Sequence, residues 1–247
     1  MTLAATYFGA NGWLLELDQM RVLVDPWLKG PLSFPPGPWL LKGELSEELD
    51  APEDLDLLLL TQGLADHAHP ETLKMLPRTL PVVGSTAAIQ VVKSLGFTTM
   101  TALKPGEATT VQQLTIQATA GAMVPAVENG YLLNHPGGSL YLEPHGFLDP
   151  SLPPQQLDAV ITPMVDLGLP LTGPFVKGCS VVEKLVERFQ PTTVLASTSG
   201  GDVRFNGILS GMLQMKGSVR STAAGLPDGT RWIDSVAGER YCLKPGR

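Results

Sequence analysis

The stretch Leu58–Leu73, LLLTQGLADHAHPETL, passes from an uninterrupted apolar run through a polar loop into the start of a helix. With its preceding residues the run covers Leu55 to Thr61, LDLLLLT. A continuous apolar segment of that length predicts a strand buried on both faces. The loop beyond Thr61 concentrates Gln62, Asp66, His67, His69 and Glu71 ahead of a short helix over Pro70–Met75. Polar side chains at the end of a strand, before a helix N-terminus, commonly build a site. Asp66 and His67 can reach one divalent ion, and a neutral imidazole with a carboxylate suits zinc, manganese or iron(II). The same residues also fit a plainer role, with Asp66 capping the helix and His67 and His69 solvated in the loop.

Working outward, the N-terminal side alternates in β fashion. Thr6–Phe8, Gly12–Glu16 and Arg21–Val24 read as strands, with Asn11-Gly12 and Asp18-Gln19 as turn signals. Asp25–Gly43 is dense in Pro and Gly. We expect an ordered loop over about 26–43 that hides Trp27, Phe34 and Trp39. On the other side, Pro81–Gly84 reads as a strand and Thr86–Leu95 as a helix. Val111–Ala118, Gly130–Asn134 and Ser139–Leu142 form a second group of strands, with His135 in an exposed hairpin turn. Strands at Asp158–Thr162, Thr193–Ala196 and Arg240–Leu243 and helices at Ser180–Phe189 and Asn206–Met215 complete the pattern. Strand-rich and mixed stretches alternate throughout without a point of separation. The expectation is a single α/β domain over residues 1–247, two packed sheets covered by helices.

Composition narrows the function classes. The 247 residues are 43% hydrophobic and 17% charged, enough apolar content for a substantial core. A formal net charge of −7 argues against a nucleic-acid partner and against docking on anionic lipid. No leader-like segment is visible, and the aliphatic run Leu57–Leu60 is far short of a membrane span. Cys179 and Cys242 cannot form a disulfide framework and read as small buried hydrophobes in a cytoplasmic or other reducing compartment. With four histidines, His67, His69, His135 and His145, any metal site has very few nitrogens to draw on.

The order of several segments resembles the metallo-β-lactamase fold superfamily, closest to its lactonase-like metal-dependent hydrolases. The carriers are YFGANGWLLEL followed by RVLVDPW with Asp25-Pro26-Trp27, and the buried strand leading into Thr61-Gln62-Gly63-Leu64-Ala65-Asp66-His67. Asn129-Gly130-Tyr131-Leu132-Leu133, the Gly137-Gly138 turn and Leu140-Tyr141-Leu142-Glu143-Pro144-His145 follow in order. No single piece is diagnostic; the joint order carries the resemblance. It implies a four-layer αββα sandwich of two mixed β-sheets, with a metal site at one edge between them.

The departures from the family pattern matter equally. Its first two histidines fall on Gln62 and Leu64, its third near Met123 in Ala120–Val124, its bridging Asp on His145, and its last His near Thr198. A two-metal centre is therefore excluded on this reading. Leu64 and Met123 are expected to close the first-metal pocket by packing. Asp66, His67 and His145 remain as a mononuclear set for zinc, manganese or iron, with Gln62 or His69 nearby as further ligands. Asp25 matches the acid that steadies such ligands from behind. The alternative is a metal-free cluster in which the same three residues hydrogen-bond one another. Glu143 reads as a solvated edge carboxylate. The Ser197-Thr198-Ser199-Gly200-Gly201 run is a weak anion-binding candidate without a lysine. Two functions follow: a hydrolase using Asp66, His67 and His145 on a small ester, lactone or phosphoester beneath the Pro35–Leu41 loop, or a non-catalytic module binding a small ligand or a partner.

Overall fold

In the computed structural model, residues 2–34, 36–123, 127–170, 173–198 and 203–244 are described. Leu3–Gly9 (β1), Gly12–Leu17 (β2) and Met20–Val24 (β3) form an antiparallel meander, and Leu57–Leu60 (β4), Val82–Gly84 (β5) and Met100–Ala102 (β6) extend it in parallel. The second sheet takes Ala108–Val111 (β7), Leu114–Met123 (β8), Val127–His135 (β9) and Gly138–Leu142 (β10) as antiparallel neighbours. It then adds Ala159–Pro163 (β11), Thr193–Ser197 (β12) and Arg231–Ile233 (β13) in parallel. Arg240–Lys244 (β14) returns to pair with β1, giving the strand orders β14-β1-β2-β3-β4-β5-β6 and β13-β12-β11-β10-β9-β8-β7.

Side-chain alternation decides the layering. Leu3, Ala5 and Tyr7 of β1, Trp13 and Leu15 of β2, and Leu57 and Leu59 of β4 meet Leu114, Ile116, Tyr131, Leu133 and Ile161 of the other sheet in one buried core. On the outer face of β4, Leu58 and Leu60 pack against the helices Pro70–Met75 (α1) and Thr86–Ser94 (α2), through Leu73, Ala88 and Val92. The opposite outer face carries Leu132 and Tyr141 against Leu185 and Phe189 of Gly178–Phe189 (α3). The layers are therefore helix, sheet, sheet, helix, the expected αββα sandwich. The LLLL run is buried throughout because its alternate residues face the inter-sheet core and α1/α2.

Several expectations need correction. Asn206–Met215 is not a helix. Val203–Asn206 pairs with Lys42–Leu45, a single 3-10 turn covers Ser210–Met212, and Gln214–Lys216 pairs with Asp166–Leu169. Gly207, at φ +104° and crossing closely over the Leu40 carbonyl, stops helix propagation there. Val111–Ala118 is split into the β7–β8 hairpin, whose turn places Gln112 at φ +52° without the usual Asn or Gly. In the Pro/Gly-rich loop, which contains the short strand Leu32–Ser33, Trp27 is buried and Phe34 half-buried, but Trp39 is 58% exposed. Cys242 is exposed on the edge strand and Cys179 is half-buried, so neither is a core residue. No helix among the described residues is long and apolar enough to cross a membrane.

The double role of β4 yields a test. Leu59→Ala removes an inter-sheet contact that cannot collapse without moving a whole sheet, and should cost about 2–5 kcal/mol. Met75→Ala, partly exposed on α1, should cost well under ~1 kcal/mol. Urea unfolding midpoints of the two variants distinguish these outcomes.

Candidate active site

The parallel strands of both sheets deliver their C-terminal ends to one edge of the sandwich, the usual position for chemistry in open α/β sheets. Asp25 follows β3, Thr61 to His67 follow β4, Glu143 and His145 follow β10, and Thr198 follows β12. Glu128, near the start of β9, enters from the neighbouring strand. The Tyr131 hydroxyl donates to the Leu60 carbonyl (2.8 Å) and Asn129 N–H donates to the Thr61 carbonyl (3.1 Å), so the sheets are tied together beside the site.

Asp25 is fully buried and held at φ +40°, an unusual conformation for a non-glycine residue. Its Oδ1 accepts the Thr61 N–H (2.8 Å), and its Oδ2 accepts the Thr61 hydroxyl and sits 2.8 Å from His67 Nδ1. That fixes the imidazole so that Nε2 faces outward, 3.4 Å from Asp66 Oδ2 and 3.3 Å from Asn11 Nδ2. The second imidazole repeats the arrangement. His145 Nδ1 lies 2.7 Å from Glu128 Oε1, and the two rings face each other with centroids 5.2 Å apart. Ligating atoms of Asp66, His67 and His145 all lie within 4.8 Å of one another.

The other expected residues lie differently. His69 is buried at the N-cap of α1. Its Nδ1 accepts the Thr72 N–H (3.4 Å), Nε2 faces the Pro31 carbonyl (3.3 Å), and it belongs to no ligand group among the described residues. Gln62 Nε2 donates to Glu128 Oε2 at 3.5 Å, behind His145. His135 is half-buried and accepts the Gly137 N–H (2.9 Å) within its hairpin. Met123 is 74% exposed at the end of β8, so it does not pack the first-metal position, which corrects that expectation. Glu143 is no edge carboxylate: it is fully buried, accepting N–H groups of Phe147 (2.6 Å), His145 (3.2 Å) and Ala122 (3.3 Å). Pro144 hid this, since a proline after a strand usually marks an exposed end. Glu128 carries no motif signal at all. Val124 and Ser199 to Gly201, invoked above, lie outside the described residues.

A divalent ion fits these donors. Two ligand atoms about 2.0–2.2 Å from a tetrahedral ion lie roughly 3.3–3.6 Å apart, and Asp66 and His67 present their atoms at 3.4 Å. Asp66 Oδ1 is buried with no hydrogen-bond partner, a cost that ligation or a bound water removes. Each imidazole has a carboxylate on its far nitrogen, the arrangement that fixes tautomer and raises ligand basicity at metal sites. Glu128, Glu143 and His145 also cluster, but the 2.7 Å contact between Glu128 and His145 is a hydrogen bond and too short for two ligands of one ion.

Without an ion, the charges respond to burial. Burial disfavours a charged His67, yet the Asp66 and Asp25 carboxylates outweigh it and hold the imidazole well above its usual range. Asp66 is held below its usual range because His67 outweighs the effect of burial. Burial, reinforced by the positive His67, pushes His145 down to about 4. Burial pushes Glu128 up to about 8, and burial with the adjacent Glu128 charge does the same to Glu143.

A cavity of about 500 Å3 opens over the site. Asn11, Asp66, His145 and Thr198 form its polar floor, and the Thr198 hydroxyl donates to Asn11 Oδ1 (2.8 Å). Apart from Gln214, its walls are apolar and come from the Pro/Gly-rich loop and the segments around Phe175, Phe205 and Leu213.

Sandwich and site define a metallo-β-lactamase-fold protein. Residues 4–197 match the family described as the beta-lactamase superfamily domain, and the chain belongs to that family. It is 28% identical over 148 residues to a metal-dependent hydrolase of Cereibacter sphaeroides, a match covering 56% of this chain and 60% of that protein. Its fold is similar to that of a possible metal-dependent hydrolase from Veillonella parvula (TM-score 0.70, 14% identity, 98% of this chain and 99% of the other). It is also similar to an isothiocyanate hydrolase from Delia radicum gut bacteria (TM-score 0.67, 14% identity, 96% and 98%).

The charge pattern predicts the pH response of the chelator-treated protein. Glu128 and Glu143 bind protons more tightly folded than unfolded, so their stabilisation is complete below pH 4.5 and is lost as pH rises through about 8. That of His67 is complete below pH 6.5 and is lost as pH rises through its folded value. His145 opposes them only between about 4 and 6.5. Melting temperature should therefore fall between pH 6.5 and about 8, and Glu128→Gln should flatten that fall. A melting temperature that rises over this window contradicts the assignment.

Proposed function

We propose that the protein is a mononuclear metal-dependent hydrolase of a small ester, lactone or phosphoester, with Asp66, His67 and His145 as both metal ligands and catalytic residues. The observation that carries this reading is the pair of carboxylate-backed imidazoles, Asp25–His67 and Glu128–His145, converging on Asp66. The metal-dependent hydrolase activity named for the Cereibacter sphaeroides relative supports it, although the match spans only 60% of that protein. When bound, zinc, manganese or iron at this position lowers the pKa of a coordinated water and polarises the bond to be cleaved.

The chain's own groups supply the rest. Asp25 and Glu128 hold the imidazoles in orientation from behind, and Asp66 Oδ1 offers an acceptor for a proton leaving the attacking water. Asn11, whose Oδ1 accepts the Thr198 hydroxyl, stands on the cavity floor beside them, and its Nδ2 can orient a substrate oxygen. Glu128 and Glu143, carrying raised proton affinity behind His145, keep that part of the site from accumulating uncompensated negative charge. Net charge and the free cysteines favour a small-molecule substrate, without nucleic acid or membrane, in a reducing compartment.

Zinc titration of the chelator-treated protein tests the reading. We expect one tight site, with Asp66→Ala, His67→Ala and His145→Ala each abolishing it. Asp25→Asn and Glu128→Gln should weaken it by about 10–100-fold. Because zinc must displace a proton from His67, affinity should also fall as pH is lowered. Wild type that binds no zinc, manganese or iron refutes the hydrolase and leaves a ligand-binding module.

A further inference from the structure

The cavity carries information about its occupant that the ligand set does not. Trp27, Phe34, Leu41, Phe175, Phe205 and Leu213 surround it, and among its described lining residues there is no lysine or arginine. Its one carboxylate is Asp66 on the floor, with Glu128 and Glu143 buried behind His145. The basic pair Lys42 and Arg204 lines a different hollow, beside Glu44 and Glu48. Apart from an ion held on the floor, a phosphoester entering here would meet no guanidinium or ammonium to share its charge and would exchange water for largely apolar walls. The apolar surface also continues outward. Trp39, Ile208 and Met212, chain neighbours of wall residues Leu40, Leu209 and Leu213, are exposed, and Ile208 N–H donates to the Trp39 carbonyl (3.1 Å), which ties these segments together.

Resting on the hydrolase reading above, we propose that the occupant is an uncharged carboxylic ester or lactone with a sizeable apolar chain, and that phosphoesters are excluded. At about 30 Å3 per non-hydrogen atom, the share of a water in the liquid, the cavity of about 500 Å3 holds roughly seventeen atoms. The carbonyl is placed at Asn11, Asp66, His145 and Thr198, and the chain lies against the aromatic and leucine walls. In the reaction a water oxygen bonds to the acyl carbon and the acyl C–O bond breaks. The departing alkoxide takes up a proton, leaving an acid and an alcohol, or a hydroxy acid from a lactone. Each buried methylene should tighten binding about fourfold.

Two measurements separate the chemistry from the occupant. In the chelator-treated full chain, N-phenyl-1-naphthylamine, a neutral fluorophore bright in apolar surroundings, should show saturable emission. Methyl decanoate should displace it at least about tenfold more effectively than methyl butanoate. Leu213→Glu should weaken probe binding by at least about tenfold. Leu213→Phe should retain it, and unchanged melting curves show that both variants fold. Absence of saturable emission, equal displacement by the two esters, or better displacement by 4-nitrophenyl phosphate overturns the proposal. In the zinc-loaded protein, 4-nitrophenyl decanoate should be cleaved with higher kcat/KM than the acetate, and 4-nitrophenyl phosphate left intact. Faster cleavage of the phosphate overturns the proposal while sparing the hydrolase reading. Chain-length-dependent binding without any cleavage upholds the occupant and refutes the hydrolase.

Discussion

The contact between Asp25 and His67 is the constraint on which the site depends. A carboxylate with no exposure, in a strained backbone conformation after β3, joins the first residue beyond β4 to the imidazole six residues further on. It does three things at once. It closes the gap between two parallel strand ends, satisfies the Thr61 N–H and hydroxyl, and turns His67 Nε2 toward Asp66. Loss of that carboxylate would leave the buried Thr61 N–H without its acceptor and the Thr61 hydroxyl and His67 Nδ1 with only each other, 2.9 Å apart. The Glu128–His145 contact copies the device on the opposite sheet, so both rings are presented by groups that belong to the rigid strand framework.

This symmetry underlies the proposal of a single metal position. Where the family pattern has histidines this chain has Gln62 and Leu64, and the Leu64 side chain has no donor atom for an ion. Gln62 instead turns to Glu128, where it supports the carboxylate behind His145. Leu64 lines the cavity, and Met123 is out in solvent. Negative charge gathered behind His145 is tolerable because burial raises the proton affinity of Glu128 and Glu143, and because His67 stands opposite.

Much of this was legible in the chain, for reasons that differ from one element to another. The LLLL run and the Pro70 helix follow from local pattern alone, and both appear with nearly their expected bounds. Bringing Asp66 and His67 together with His145, far along the chain, required the family resemblance, because no local pattern links β4 to β10. Glu128 was invisible because a single acidic residue in a strand acquires its role only from the neighbour across the sheet. The segment Asn206–Met215 misled because Phe205, Leu209 and Leu213 repeat with helical spacing while serving as one wall of a cavity. Periodicity reports which residues share an apolar environment, and here that environment is the ligand chamber instead of a helix's buried face.

The central claim is one metal ion on Asp66, His67 and His145, and crystals soaked in zinc test it most directly by anomalous scattering. The account predicts a single peak per chain, about 2.0–2.2 Å from those three side chains, with Asp25 and Glu128 still on the far nitrogens. Absence of a peak, two peaks at the strand ends, or one peak seated between Glu128 and Glu143 would contradict it.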